Sequence, residues 1–254
     1  MANKKAKRIW LDALYPAIVV VATLVLWQVL AIILDATLIL PTPKDSFLQF
    51  FKYLGQKDFW LALLNTFWRS TYSFALAFVV AVGFALLSTV SATARKLILP
   101  FIAIVRSIPT MSIILILVIW MSPQSAPAVV AVIVTAPTLF SAFLGAVDSV
   151  DKKLVQMSKV YKVSTKDMVT KLYLPSMAPQ LFESCAGGFS LNVKLIIAAE
   201  ALAYTSNSIG KNMQIAKINI EPTQLFALTL FAVLLGVLTE AVIRLIGKKV
   251  VKWQ

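Results

Sequence analysis

Histidine is absent from the 254 residues, and cysteine occurs once, at Cys185. Without imidazole there is no His-based catalytic triad, no HExxH zinc site and no haem–histidine ligation. A single thiol forms neither an internal disulfide nor a cysteine metal cluster, so no metal is expected. A GxxxxGK[ST] phosphate loop is missing too: the pairs Gly210–Lys211 and Gly247–Lys248 lack the first glycine and the following Ser or Thr. The chain therefore does not hydrolyse ATP through a P-loop of its own. Energy for any work it does comes from an ion gradient or from a partner. No nucleophile–base pair stands out, which argues against an integral membrane enzyme. Acidic residues are few, 11 against 24 Lys and Arg, for a net charge of +13.

What is abundant is apolar. The chain is 59% hydrophobic and only 14% charged, with a mean hydropathy of +0.85, beyond the range of soluble domains. Runs such as PAIVVVATLVLWQVLAIIL (16–34) and SIILILVIWM (112–121) predict a polytopic, all-α membrane protein of about six transmembrane helices. At ~1.5 Å per residue, 16–34 suffices for a ~30 Å hydrocarbon core. Lys4, Lys5, Lys7 and Arg8 precede it with no small-residue cleavage site after it, so it reads as an uncleaved first span with its amino end inside.

Residues 35–59 are assigned outside. The prolines of LPTPKD (40–45) bar a helix from running through, and SFLQFFKYL (46–54) is amphipathic and lies along the surface. The next apolar stretch places Asn65 and Arg69 near the outer interface and a crossing at about 70–90, followed by an internal loop, SATARK (91–96). The third block, 97–121, is broken by RSIPT (106–110), so an approach segment precedes a crossing at about 108–121. After the external turn 122–127, a fourth crossing (127–147) carries a kinking Pro137. The fifth, about 177–203, is the most polar, and the sixth, about 223–243, ends in the basic RLIGKKVVKWQ. Most Lys and Arg fall on segments assigned inside, which fits the positive-inside rule. The positive charge is thereby explained by topology, and nucleic acid is not an expected partner.

The polar interval 148–175 is too long for a plain connection, which usually takes ~2–8 residues. Leu154, Met157, Ser158 and Tyr161 share one face of a short helix. Ser164 with Asp167 resembles a capping box that opens a second helix, with Met168, Val169, Leu172 and Tyr173 on one side and Pro175 closing it. Two readings stand: a docking surface, or a solvated loop held inside by its charge.

These features in order resemble the membrane subunit of type I ABC importers, the binding-protein-dependent permeases. The branch is that associated with nitrate, sulfonate, taurine, bicarbonate and thiamine-precursor uptake. The stretches that carry the likeness are ILPTPKD (39–45), NTFWRSTYSFALAFVVAVGFALL (65–87), RSIPT (106–110), 146–179 and AAEALAYTSNSIG (198–210). The family's cytoplasmic signature E-A-A-x-x-x-G, followed by L-P, falls here on Gln156, Met157, Ser158 and Lys162, with only Leu174–Pro175 intact. Lysine costs ~1–2 kcal/mol in the left-handed conformation open to glycine, so a differently shaped turn is expected at Lys162.

The resemblance implies an ATPase-coupling site at Gln156, Met157, Ser158, Tyr161, Lys162, Ser164, Leu172 and Pro175. It implies a cytoplasmic ATPase dimer that carries ATP and Mg, no cofactor on this chain, and a second permease subunit, expected to be a copy of this one. It also implies an extracytoplasmic substrate-binding protein and a bacterial inner-membrane location with both termini cytoplasmic. The implied layout is a 1–59 amino-terminal region, a 60–246 transmembrane domain and a 247–254 basic tail. Arg106, Lys194 and Glu200 are candidates for a translocation path, because intramembrane charges face a cavity or each other. Structural pairing is the competing account of Arg106 and Glu183. Lys194 and Glu200 lie about 240° apart around the helix and cannot pair within it. An ion-gradient-driven secondary transporter is the alternative function, although inverted repeats are not evident.

Overall fold

A computed structural model describes residues 2–34, 36 and 38–251, without the side chains of 2–13 and 16. The charged side chains of Lys4, Lys5, Lys7, Arg8, Asp35 and Lys252, part of the orientation argument, lie outside the described residues. Among the described residues the structure is helical throughout, with no strand: α1 (Ala2–Leu34), α2 (Pro43–Leu54), α3 (Lys57–Val90), α4 (Ala92–Ser107), α5 (Thr110–Trp120), α6 (Ala126–Asp148), α7 (Lys152–Val160), α8 (Thr165–Met168), α9 (Leu174–Ala203), α10 (Ile209–Ile218) and α11 (Pro222–Val250). A π-helical turn, Val169–Tyr173, joins α8 to α9. Five helical stretches are long and apolar enough to cross a membrane, six if the bent pair α4–α5 is one span.

The chain forms two compact units, 1–57 with 215–231, and 58–214 with 232–254. In the first, Thr42 caps α2 by accepting from the Asp45 N–H at 3.1 Å, with Pro43 in the first turn, where its missing N–H costs nothing. Trp27 donates to the Pro41 carbonyl at 3.0 Å, Phe50 stacks on Phe231 at 3.8 Å, and the buried Tyr53 donates to Gln224 at 2.9 Å.

In the second unit α6 and α9 make the most extensive contact. Small side chains let α3 pack closely: Ala62, Thr66, Ser70, Ser73, Ala77, Ala81, Ala85 and Ser88 recur three or four apart and are all buried. Large residues of the same helix, Leu61, Leu64, Trp68, Leu76, Val79 and Leu86, point outward. Without a hydrophobic drive inside lipid, close approach of backbones is what such a stripe gains. Gly188 on α9 obeys the same logic, since a Cβ there would lie 2.8 Å from Leu139 and 3.4 Å from Phe74.

Two expectations need correction. The supposed loop 91–96 is only a break at Ser91, whose side chain caps α4 at Ala94 N–H, so Arg95 and Lys96 lie on a helix. Arg95 then reaches Asp148 at the end of α6, Nη1 to Oδ1 at 3.1 Å. Nor is 108–121 a crossing by itself. The 11 residues of α5 extend only ~16 Å against a ~30 Å core, and α5 meets α4 at 88°. Pro109 forces Ile108 into an extended conformation, which produces the bend. Ile113 and Ile114 of α5 are buried with Val130 of α6 and Ala199 of α9.

Two buried polar clusters tie these helices together. Asn192 of α9 donates to the Ser70 carbonyl at 2.8 Å and to Ser73 Oγ at 3.0 Å, and accepts from Thr135 of α6 at 3.3 Å. Glu200, completely buried, pairs with Arg69 of α3 and accepts from Thr66 Oγ1 at 2.9 Å and the Gly210 N–H at 3.2 Å. The second Arg69 nitrogen donates to Gln124 at 3.2 Å. Gly210 lies in the first turn of α10, whose free N–H groups and positive dipole end favour a carboxylate. No other residue fits at 210: a Cβ would sit 2.5 Å from Glu200 Cβ and 2.7 Å from Ala201 N, with the Ile197 carbonyl closer still.

Removing one partner of such a pair leaves an uncompensated buried charge, a loss of about 3–5 kcal/mol. Glu200→Ala is expected to lower the thermal midpoint of the detergent-solubilised protein sharply. Arg69→Met with Glu200→Gln together should recover much of the difference, because neither charge is then left alone. A double variant as unstable as Glu200→Ala would refute the pairing as the source of the effect.

Candidate functional site

The 148–175 interval is folded end to end. Asp151 caps α7 by accepting from the Lys153 N–H at 2.8 Å. At the other end of α7 the Val163 N–H reaches the Ser158 carbonyl at 2.9 Å, and the Lys162 N–H reaches Lys159 at 3.1 Å. That pair of bonds is a Schellman closure, which demands a left-handed residue between them. Lys162 supplies it, with φ 53°. The expectation of a differently shaped turn is therefore wrong: the turn keeps the geometry that suits glycine, and the two hydrogen bonds offset the strain of ~1–2 kcal/mol.

Ser164 opens the next helix as the sequence predicts, accepting from the Asp167 N–H at 3.1 Å and donating to its carboxylate at 2.8 Å. Lys171, bonded to the same carboxylate at 2.7 Å, and the Ser164 hydroxyl hold Asp167 below the usual carboxylate range, so the cap stays charged at neutral pH. Pro175, in contrast to expectation, closes nothing. Helical backbone continues from Thr165 to Ala203. Proline in a helix removes one N–H and crowds the carbonyl four residues back. Here the wider π turn Val169–Tyr173 precedes it and places it in the first turn of α9.

The two faces of this segment differ. Val155, Leu172 and Tyr173 pack on the buried Ala146, Val150 and Met177 and fasten the segment to α6 and α9. Leu154, Met157, Val160 and Tyr161 face outward, Val160 and Tyr161 at 78% and 75% exposure. Gln156 and Lys162 are exposed, and Ser158 and Pro175 are half-buried. The apolar face read from Leu154, Met157 and Tyr161 is thus the outer face, and Val155 is the anchor.

Along α9, Gln180, Glu183, Gly187, Lys194 and Ala198 are exposed on one side. Among the described residues, no large apolar side chain between Leu174 and Tyr204 is exposed, whereas α3 and α11 bristle with Leu and Val. A face turned to lipid has the opposite character. Lys194 has no ion pair or hydrogen bond among the described residues. Arg106, exposed at the end of α4, donates to Ser141 of α6 at 3.1 Å. Glu183 pairs with Arg244 of α11 at 2.6 Å, which itself holds Glu240 at 2.8 Å.

The structure therefore does not bring Arg106, Lys194 and Glu200 together. Arg106 has a hydroxyl, Glu200 an arginine, and Lys194 is free. Arg69 and Thr66, which bond Glu200, and Gln124, which bonds Arg69, were not singled out as site residues from the sequence. The signal for them was the spacing Thr66, Ser70, Ser73 around Arg69, which puts the arginine beside a buried stripe.

Residues 77–252 match the family model for the binding-protein-dependent transport system inner membrane component. The putative aliphatic sulfonates transport permease protein SsuC of Bacillus subtilis is 21% identical over 96% of this chain and 88% of that protein. The Escherichia coli taurine transport system permease protein TauC is 23% identical over 89% and 84%. Among solved structures, an amino acid ABC transporter aligns with a TM-score of 0.64 at 9% identity, over 74% of this chain and 92% of that one. An inward-facing MetNI methionine ABC transporter aligns at 0.57 and 18% identity, over 72% and 93%. These neighbours share the fold. With a family match over more than two thirds of its length and a helical membrane architecture of the same kind, the chain belongs to the binding-protein-dependent transport system inner membrane components and is a permease subunit of an ABC importer.

Proposed function

We propose that this permease couples to a cytoplasmic ATPase through 152–175 and passes a small organic anion of the sulfonate class along the exposed face of α9. The observation that carries the coupling half is the outward apolar set Leu154, Met157, Val160 and Tyr161 on a segment whose inner side is packed and whose ends are capped. Flexible tethers do not hold four large apolar groups in water on a hydrogen-bonded frame. In this reading Gln156, Met157 and Tyr161 touch the ATPase. Ser158, Lys162 and Ser164 shape the turn, and Leu172 and Pro175 join it to α9. The ATPase, as a dimer, supplies ATP and Mg.

The rest of the assembly follows the same logic: a second copy of this chain completes the pore, and a substrate-binding protein delivers solute on the outer side. Both termini are then cytoplasmic at a bacterial inner membrane. The layout is the 1–59 region, the 60–246 transmembrane domain and the 247–254 tail. Lys194 supports an anionic solute. A lysine near the middle of a span costs ~2.5–3.5 kcal/mol against lipid, so its face is lined by water and partner. Relatives that carry sulfonates and taurine by name agree with that charge. Arg106 stands as a second cation on this path. Glu200 serves as the brace of the helices that border it.

Three outcomes are expected. Purified from its host, the wild type should bring down an ATPase, and Met157→Asp with Tyr161→Asp should lose it while the fold survives, since both side chains are exposed. An intact wild type that recovers no ATPase would favour a gradient-driven transporter. Lys162→Gly should raise stability by about 1 kcal/mol, read as a higher thermal midpoint with ATPase binding kept; a lower midpoint would count against the strained turn. Lys194→Gln should cut uptake of an aliphatic sulfonate by about tenfold, the weight of one charge-assisted hydrogen bond, with ATP hydrolysis retained. Unchanged uptake would remove Lys194 from the path.

A further inference from the structure

A cavity of about 550 Å³ lies on the side of α9 opposite the polar face, walled by α3, α6, α9, the π turn and the end of α11. Its lining includes Phe78, Leu86, Phe143, Leu174, Phe182 and Cys185, and apart from Thr170 it holds no polar group able to orient a hydrophilic solute. Lining residues on α9 and the turn run from Thr170 to Cys185, about 22 Å of helix; one leaflet of hydrocarbon is about 15 Å deep. Leu86 in its wall is exposed and belongs to the outward apolar face of α3, so the cavity opens onto the surface that faces lipid.

A second cavity of about 370 Å³ adjoins it, with Phe182 in the wall of both. This one is polar, lined by Pro179, Glu183, Arg244, Gly247, Lys248 and Val251. Arg244 is committed to Glu183 and Glu240, and Lys171 on the turn to Asp167. Lys248 and its neighbour Lys249, both exposed, have no anionic partner among the described residues. Phe182 packs directly on Gly247, where a Cβ would come within 2.8 Å of it, so the apolar and the basic compartments meet at one helix crossing.

From this pairing we infer a binding site for an anionic glycerophospholipid: one acyl chain fills the apolar cavity, and the phosphate and headgroup rest on Lys248 and Lys249. The charge selects the headgroup, and the cavity, which opens to hydrocarbon, selects the tail. A second copy of this chain or another protein helix is the competing occupant of the groove, but neither accounts for two free lysines beside it. The bound chain would lie against Thr170, Leu174 and Pro175, so lipid occupancy would stiffen the base of the coupling segment; that consequence alone rests on the coupling proposed above.

The test uses the permease in its native membrane complex, delipidated and supplied with phosphatidylglycerol or phosphatidylcholine that carries a photoactivatable group on the acyl chain. Phosphatidylglycerol should crosslink to the peptide spanning 170–185. Its preference over phosphatidylcholine should be lost in Lys248→Gln with Lys249→Gln, a drop of about fivefold for each lysine. Cys185→Trp, which fills the cavity, should abolish the crosslink; should that variant misfold, the surface lysine pair still decides the matter. Equal labelling by the two lipids, labelling unchanged in the lysine variant, or crosslinks from this groove to a second protein chain would each overturn the site.

Discussion

A carboxylate enclosed by membrane helices must be neutralised where it stands, and Glu200 is surrounded accordingly. Its Oε atoms meet a guanidinium from α3, a hydroxyl one turn away on the same helix, and the first-turn N–H of α10. Each donor comes from a different direction, so satisfying the charge fixes three helices at once. Gly210 is the geometric counterpart, because the N–H reaches the carboxylate only where no Cβ intervenes. Asn192, two turns earlier on α9, repeats the device with neutral groups and joins α3 to α6. In hydrocarbon, close packing of small residues and interhelical hydrogen bonds act together; the polar clusters add directional contacts to the α3 stripe.

The same helix extends to the segment proposed to couple to the ATPase. Helical backbone runs from Thr165 to Ala203, about 58 Å at 1.5 Å per residue. In the proposed coupling a displacement at the Ser164 cap would travel along one column toward Glu200, and the π turn before Pro175 is the place along it where hydrogen bonding departs from the α pattern. Segment and column share an apolar anchor around Ala146, Val150 and Met177. The packed base and the apolar tip are the two features on which the proposed coupling to a soluble ATPase rests.

Much of this architecture was legible in the chain. The apolar runs, the proline break at Pro109 and the Ser164–Asp167 cap all follow from local chemistry, and each appears where the residues put it. Failures cluster where the backbone hydrogen bonding of a neighbouring turn, and not the residue itself, decides. Pro175 looks like a terminator because proline usually is one, and only the π turn upstream lets the helix continue. Lys162 looks unfit for a left-handed turn, yet the Schellman bonds impose that turn whatever residue occupies it. Residues 108–121 look like a span because hydropathy counts composition and not the 88° bend.

The candidate site divides in the same way. Six lysines and a helical apolar period in 148–175 were enough to mark a folded segment and not a plain connection, since hydrophobic period and charge are properties of sequence. Which apolar residues turn outward was not, because Val155 and Met157 differ in sequence by two positions and in fate by the presence of Ala146 and Val150 behind one of them. Likewise Arg106, Lys194 and Glu200 are equally conspicuous as intramembrane charges in the chain. Sequence by itself determined membrane class, helix content, caps and breaks, all set within a few residues by propensity and hydropathy. Tertiary structure alone decided which charge is paired and which is free. Arg69 lies 131 positions from Glu200, and only the packing of α3 on α9 brings the two together.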